Sequence, residues 1–349
     1  MDALSVVGGG IAGLALAAHL DPDRFQVTVH ERRGEPAPVE TSLAMWPEAQ
    51  RALDEMGILP AVRAAGSGFG GMALRDGAGS VLLRARASGV IGVSRAELLR
   101  LLDAAVPASV LRAYGAVASL PRADLVVGAD GVHSVVRRSV WGEHARARLS
   151  PYLALRGIID GPVPPGRGGE YWGRGQLFGI TPASRGRTYW YASYRSGLGP
   201  GGIDVEEALA LTRAHYSGRD AGMDHVLAAA TPGETLAQRV WTVPYPGRYA
   251  RDGAVLVGDA AHGMTPNLGR GACEALIDAV TLADLLNSRP LPEALRAYNR
   301  RRMLRSQALR VASSAMARLA LAETAQPLRD GLLRLAGRAG RAGAGQNDR

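Results

Sequence analysis

The sequence contains no lysine, so all 41 of its basic side chains are arginines. Cys273 is its single cysteine, which excludes a disulfide framework and a thiolate metal site. The seven histidines are scattered, with no HxxxH or HxH pair, so no metal centre is expected. No apolar run approaches the roughly 18 residues that a membrane span requires. Met1-Asp2-Ala3 enters a strand directly, leaving no room for a secretory leader. These absences together point to a cytoplasmic protein without stable membrane insertion. The net charge of +9 could suggest a nucleic-acid partner, but the arginines are spread along the chain without interleaved aromatics. Complete arginine bias beside abundant alanine and glycine instead reflects a GC-rich coding composition. What remains is ample: 349 residues, 47% hydrophobic, are enough to bury a sizeable core in one large domain or two.

The chain opens with "ALSVVGGGIAGLALAAHL", which reads as a buried strand, a glycine turn and a helix of small residues. "RFQVTVHERR" reads as a second strand ending at Glu31. This βαβ unit carries Gly8-x-Gly10-x-x-Gly13, with an acid about 20 residues on, as dinucleotide binding requires. Gly8 allows the tight turn, Gly10 lets backbone approach a pyrophosphate, and Gly13 lets helix pack against sheet. Ile11 and Ala12 begin the helix, whose free N–H groups and dipole favour phosphate. Glu31 is placed to accept hydrogen bonds from a ribose.

The same glycine spacing recurs at Gly66–Gly71 and Gly197–Gly202. The first follows a helical stretch rather than a strand. The second precedes a helix opening with Asp204, Glu206 and Glu207, whose charge would repel a pyrophosphate. Both are read as loops. Residues 42–66 read as an amphipathic helix with its entry turn, and 92–106 as another, with Ser94 as N-cap and Glu97 completing a capping box. "RADLVVGADGVHSVVRRSV" reads as a buried strand, a turn through Asp130, and a helix entered near Ser134. From about residue 151 to 245 aromatics gather in alternating strands, giving a separate antiparallel layer. Within it Tyr189, Tyr191 and Ser193 share one face and Trp190, Ala192 and Tyr194 the other. Late in the chain, "VLVGDAAHGMTPNLGRGACEALIDA" forms a second strand-to-helix turn lined by glycine.

Three motifs therefore stand in order: the opening GxGxxG, "GADGVHSVVR" and "GDAAHGMTPNLGRG". Together with the aromatic β layer between the last two, they resemble the single-component FAD-dependent aromatic hydroxylases, typified by para-hydroxybenzoate hydroxylase. The resemblance runs from Val6 to about Leu286. It implies an α/β fold: a Rossmann-like FAD-binding domain with an interleaved antiparallel β-sheet substrate domain and C-terminal helices. The FAD-binding domain is expected to be discontinuous, from 1–150 and 247–290. The substrate layer would span 151–246, a helical segment 291–340, and a disordered tail 341–349. The stretch 326–341 is amphipathic and admits a peripheral membrane contact.

The resemblance implies that Glu31 binds the adenosine ribose, with Arg32 beside it. Arg95 would contact the FAD phosphate or ribityl region, Asp130 would serve FAD and nicotinamide contacts, and Arg137 would close its helix. Asp259 would bind ribityl hydroxyls at a strand's carboxyl end, where open sheets place ligand groups. Pro266, Gly269, Gly271 and Ala272 would lie against the isoalloxazine, with helix-start N–H groups favouring negative charge on reduced flavin. Arg270 stands where glutamine is common, Cys273 and Glu48 where asparagine is common. Arg270 is thus a candidate for tuning the flavin or holding an acidic substrate. His262 and Cys273 read as packing residues, and Asp278 as a cap or surface pair.

The implied reaction uses NADH or NADPH as co-substrate and O2 to form a C4a-hydroperoxyflavin, which hydroxylates or epoxidises an aromatic or polyketide-like small molecule. The cofactor carries the hard step, so no nucleophile–base constellation is needed. A substrate-activating base is sought among Tyr189, Tyr191, His215 and Arg156, and the catalytic candidates are Pro266, Arg270, Tyr191 and His215. The alternatives are a FAD-dependent dehydrogenase or reductase without oxygen insertion, and a non-catalytic flavoprotein. A monomer or homodimer is expected.

Overall fold

The computed structural model describes residues 1–32, 34, 39–68, 70–85 and 89–344. In chain order, β1 (Asp2–Val7), α1 (Ile11–His19) and β2 (Phe25–Glu31) form the opening unit. Then come β3 (Ser42–Met45), α2 (Pro47–Glu55), α3 (Leu59–Ala65), β4 (Ser67–Gly68), β5 (Met72–Asp76) and β6 (Val81–Ala85). β7 (Ile91–Ser94), α4 (Arg95–Ala104), β8 (Leu111–Tyr114), β9 (Leu125–Gly128) and α5 (Val135–Trp141) follow. The middle holds β10 (Arg148–Ile159), β11 (Gly169–Trp172), β12 (Gln176–Pro182), β13 (Thr188–Arg195), α6 (Val205–Tyr216), α7 (Ala221–Ala229) and β14 (Thr235–Thr242). The last elements are β15 (Ala250–Arg251), β16 (Ala254–Leu256), α8 (Asp259–His262), α9 (Gly271–Ser288), α10 (Leu291–Ala320) and α11 (Gln326–Ala344).

Among the described residues the strands form three sheets. The first has the order β15-β16-β9-β1-β2-β8, and apart from the β15 edge its pairings are parallel. β1, β9 and β16 are nearly continuous apolar runs because helices cover both faces of such a sheet. The second sheet, β14-β10-β13-β12-β11-β5-β6, is antiparallel except where β11 meets β5. Its last two strands come from well before residue 150, so this sheet draws on the first stretch of chain as well as the middle. Its outer face, with Leu153, Leu155, Phe178, Trp190 and Tyr194, packs on α6 and α7. A small third sheet, β3-β7-β4, is interleaved with β5 and β6 along the chain.

The reading of residues 42–66 as one helix is corrected: the segment is a strand followed by two helices. Gly57 turns with φ +72° and Pro60 stands in the first turn of α3, so the helix stops and restarts there. Ser94 caps α4 by accepting the Glu97 N–H at 3.3 Å, while the Glu97 carboxylate turns to Arg100 at 2.7 Å instead of closing the box. Asp204 caps α6 by accepting from Glu206 and Glu207, so the glycines before it form a loop. α11 continues through Ala344, beyond the expected start of the tail, and residues 345–349 lie outside those described. α11 turns Leu328, Leu332 and Leu335 outward, and no described helix is long and apolar enough to cross a membrane.

Candidate active site

Three motif turns meet because their strands are neighbours. β16, β9 and β1 lie side by side in parallel, so the turns after all three emerge at the same edge of the sheet. The turns interlock without side chains between them. A Cβ on Gly8 would sit 2.3 Å from Ala129 O, and one on Gly13 would sit 1.9 Å from Gly8 O. Gly10, the N-cap of α1, faces open space, and α1 carries neither a side-chain cap nor an acid in its first turn. That end is free for an anion. Glu31, at the end of β2, accepts the Gly9 N–H at 2.8 Å, which folds its carboxylate back over the glycine turn. Arg32 follows it on the exposed side.

Asp130 divides its two oxygens between tasks. Oδ2 accepts the N–H groups of Val135 and Val136 at 2.6 and 3.2 Å and so caps α5. Oδ1 is buried without a protein partner. Arg137, fully buried, donates to Ala145 O, Ala260 O and Val132 O at 2.7, 2.8 and 2.6 Å. It therefore locks the second motif to the third. Burial pushes its guanidinium down to about 10, with Asp130 and Asp259 partly offsetting the loss of water.

Asp259 is the one exposed residue between Ala254 and Gly263, standing at the start of α8 after the buried strand. Pro266 and Gly269 are likewise exposed, and Gly269 takes a left-handed φ of +59° to turn the chain into α9. Gly271 and Ala272 begin α9, which opens without a side-chain cap. The loop is tied down behind: Thr265 O accepts the Ser313 hydroxyl of α10 at 2.6 Å. Burial lowers the Arg95 guanidinium, Asp259 acts to raise it, and Arg156 of the second sheet acts to lower it.

Two expectations change on these contacts. Arg270 is not a free cation toward the site: it donates to Glu48 Oε2 at 3.1 Å and Glu274 Oε1 at 3.2 Å, and lies over the Trp46 ring. His215 belongs to α6 on the outer face of the second sheet, stacked on Tyr194 with ring centres 4.7 Å apart. The sheet separates it from Tyr191, because Tyr191 and Tyr194 point to opposite sides of β13. The two faces of β13 are covered differently: Trp190 and Tyr194 are packed on α6 and α7, while Tyr189, Tyr191 and Arg156 are half-buried on the other side.

Asp278 is not on a helix surface either. It is fully buried, accepting from Arg302 Nε at 2.6 Å and Gly258 N at 2.9 Å, with His262 Nε2 at 2.6 Å. Burial pushes its carboxyl up, but Arg302 and His262 outweigh that and hold it at about 2. Cys273 packs as expected, its thiol 3.1 Å from Ala44 O and pushed up to about 11 by burial. Glu170 was not anticipated. It accepts the Tyr191 hydroxyl at 2.7 Å and Trp172 Nε1 at 2.5 Å. Its signal in the sequence was an acid alternating with aromatics in "GEYW".

A family model for the FAD binding domain matches residues 103–313, and one for the NAD(P)-binding Rossmann-like domain matches residues 6–39. 3-Amino-4-hydroxybenzoate 2-monooxygenase of Streptomyces cremeus is 31% identical over 87% of this chain and 84% of its own. This chain belongs to the FAD-dependent aromatic hydroxylases. This hydroxylase is also 30% identical to 2-heptyl-3-hydroxy-4(1H)-quinolone synthase of Pseudomonas aeruginosa, over 96% of this chain and 94% of that one. The solved structure of Klebsiella pneumoniae HpxO complexed with FAD and uric acid superposes with a TM-score of 0.84 at 25% identity, covering 95% of the hydroxylase and 92% of that chain. The hydroxylase is thus a flavin-dependent monooxygenase, an oxidoreductase that incorporates oxygen. Its residues fit FAD: open space at Gly10 and Gly269, and an acceptor at Asp130 Oδ1 with no protein partner.

Proposed function

We propose that this hydroxylase uses NADH or NADPH and O2 to hydroxylate a planar aromatic or heteroaromatic molecule carrying an oxygen substituent. One observation carries the reading. The turns after β1, β9 and β16 meet at one edge of the parallel sheet, with open space at Gly10 and Gly269 and an unpartnered acceptor at Asp130 Oδ1. The substrate named for one relative, an aminohydroxybenzoate, and the product named for another, a hydroxyquinolone, are aromatic molecules of that kind.

In this reading Gly8, Gly10, Ile11, Ala12, Gly13, Glu31 and Arg32 hold the adenosine and pyrophosphate half of FAD. Arg95, Asp130 and Asp259 hold the ribityl side, and Pro266, Gly269, Gly271 and Ala272 border the ring. When bound, FAD supplies the redox chemistry by which reduced nicotinamide and O2 act on a carbon centre. Every other contribution belongs to the chain. The uncapped start of α9 offers N–H groups to negative charge. Arg270, balanced by Glu48 and Glu274, fixes the loop before α9. Tyr189 and Tyr191 orient the substrate, and Arg156, opposite Tyr191 in register, offsets charge on its oxygen.

The test is turnover of FAD-loaded protein with NADH and then NADPH against a panel of phenols and hydroxyquinolines. Nicotinamide oxidation should rise with substrate, and label from ¹⁸O-enriched O2 should enter the product. Oxidation without label in any product would overturn the reading.

A further inference from the structure

α11 has two unlike faces, and the rest of the chain uses one of them. Arg329, Leu333 and Gly337 recur at helical spacing and turn inward. Arg329 is buried, donating to Ala320 O at 3.2 Å and Trp172 O at 2.9 Å, with its guanidinium over the Trp172 ring. Leu333 packs on the cluster of Trp172, Leu177 and Leu321. Gly337 lies so close to β6 that a Cβ there would sit 3.0 Å from Leu82 O. The helix is therefore fixed against the second sheet.

The opposite face is a row of leucines in water. Leu328, Leu332 and Leu335 stand at i, i+4 and i+7 and are 66%, 59% and 61% exposed. Gly331 lies among them and faces open space, which leaves a notch in the row. The helix cannot roll this row inward without pulling Arg329 and Gly337 off the sheet. Residues 345–349, Gly-Gln-Asn-Asp-Arg, bring no apolar side chain to cover it. Contiguous exposed apolar surface on a fixed element marks a contact with something else.

Charge says what that is. α11 carries four arginines and one acid. The acid, Asp330, is paired with Arg329 at 2.8 Å. Arg334 and Arg338, four residues apart, form one edge of the leucine row, and both are exposed. Arg334 also holds Asp76 at 2.8 Å, so Arg338 is the principal cation of that edge. In the sequence Arg341 follows at the same helical spacing. A second copy of this chain laid antiparallel on the row would set arginine edge against arginine edge. The complementary partner is anionic at its surface and apolar beneath, and a bilayer containing acidic phospholipid offers both within roughly 10 Å.

We propose that α11 is an interfacial helix by which the hydroxylase docks reversibly on anionic phospholipid membranes. Leu328, Leu332 and Leu335 enter the acyl boundary, while Arg338 and Arg334 meet the lipid phosphates. The helix lies in the membrane plane, and no described helix is long and apolar enough to cross it. The contact is separate from the flavin edge: the turns at Gly8, Asp130 and Asp259 belong to the parallel sheet, whereas α11 is held by the second. Docking therefore sets where the enzyme resides and leaves its chemistry unchanged. It stands independently of the substrate class.

The test is flotation of the FAD-loaded full chain with vesicles of phosphatidylcholine containing about 30% phosphatidylglycerol, against pure phosphatidylcholine. Wild type should partition at least about tenfold more strongly to the anionic vesicles. That preference should fall as salt rises from about 0.1 M to about 1 M, where the screening length drops from roughly 10 to 3 Å. Leu332→Glu should weaken vesicle binding by at least about tenfold, and Arg338→Glu should erase the anionic preference. In lipid-free buffer both variants should retain flavin and oxidise NAD(P)H as wild type does. Should Leu332→Glu fail to fold, Leu328→Ser combined with Leu335→Ser carries the same comparison. A wild type that stays unbound or binds both vesicles equally overturns the proposal, as does a Leu332→Glu protein that floats like wild type. Sedimentation velocity without lipid covers the other occupant. A dimer that Leu332→Glu dissociates, in a protein that does not float, assigns the row to a second copy and overturns membrane docking.

Discussion

Arg270 Nη1 lies 3.1 Å from Glu48 Oε2, joining the start of α9 to the first turn of α2 across 222 residues. These are two positions read from the sequence as departures from what the resemblance implies. The charge introduced at one is met by the charge at the other, and Trp46 lies beneath the guanidinium. A double-mutant cycle with Arg270→Gln and Glu48→Asn should therefore show coupling. Each single change should destabilise, and the pair should recover about 1 kcal/mol relative to their sum, measured by chemical denaturation.

Two glycines of one motif should separate cofactor binding from folding. Gly13→Ala places a methyl 1.9 Å from Gly8 O and should cost about 2 kcal/mol in apoprotein melts as well as losing FAD. Gly10→Ala meets nothing in the protein, so the apoprotein should melt as wild type while flavin retention falls. Equal melting of the two variants would contradict the close helix–turn contact.

Asp259→Ala should weaken FAD binding by at least about tenfold, or roughly 1.4 kcal/mol, in flavin titrations. The residue is exposed within an otherwise buried stretch, so the apoprotein's melting temperature should not change. Asp278→Asn should do the reverse first: it strips Arg302 and His262 of a buried partner and should cost about 3 kcal/mol of stability.

The pH dependence of stability follows from the same cluster. Asp278 titrates at about 2 in the folded chain against an ordinary 3.8, so the folded state holds its charged form more strongly. That stability is complete above pH 3.8 and lost as pH falls toward 2. His262 is raised above its ordinary 6.5, because Asp278 outweighs the effect of burial. Its contribution is complete below 6.5 and lost as pH rises through the folded value. Denaturation midpoints across pH should fall on both sides, and Asp278→Asn should flatten both limbs.

Cys273 should resist thiol reagents in the folded protein. Its sulfur is buried, bonded to Ala44 O and pushed up to about 11, leaving little thiolate at neutral pH. Labelling should appear only with unfolding, which mass spectrometry across a denaturant series would follow.

Much of this molecule was legible along the chain. The turns at Gly8, Asp130 and Asp259 each combine a buried strand, small residues and a helix start, and such local signals survive without tertiary context. The cap at Ser94 was readable for the same reason, since a cap satisfies N–H groups only a few residues away, while Ser134 and Asp204 were read only as helix starts. The break at Gly57 was missed because the apolar period continues across it.

What the amino-acid sequence alone determined is therefore the set of local devices and their order. What the tertiary structure decided is which of them meet. Alternation divided β13 into two faces, but only the packing of Trp190 and Tyr194 on α6 and α7 chose the side that Tyr191 takes. Glu170 became its partner through strand register and the missing side chain of Gly179. Arg270 found Glu48, and Asp278 found Arg302 and His262, by contacts between helices distant along the chain. A buried charge requires a partner, but its sequence position does not say which one; three-dimensional packing supplies that answer.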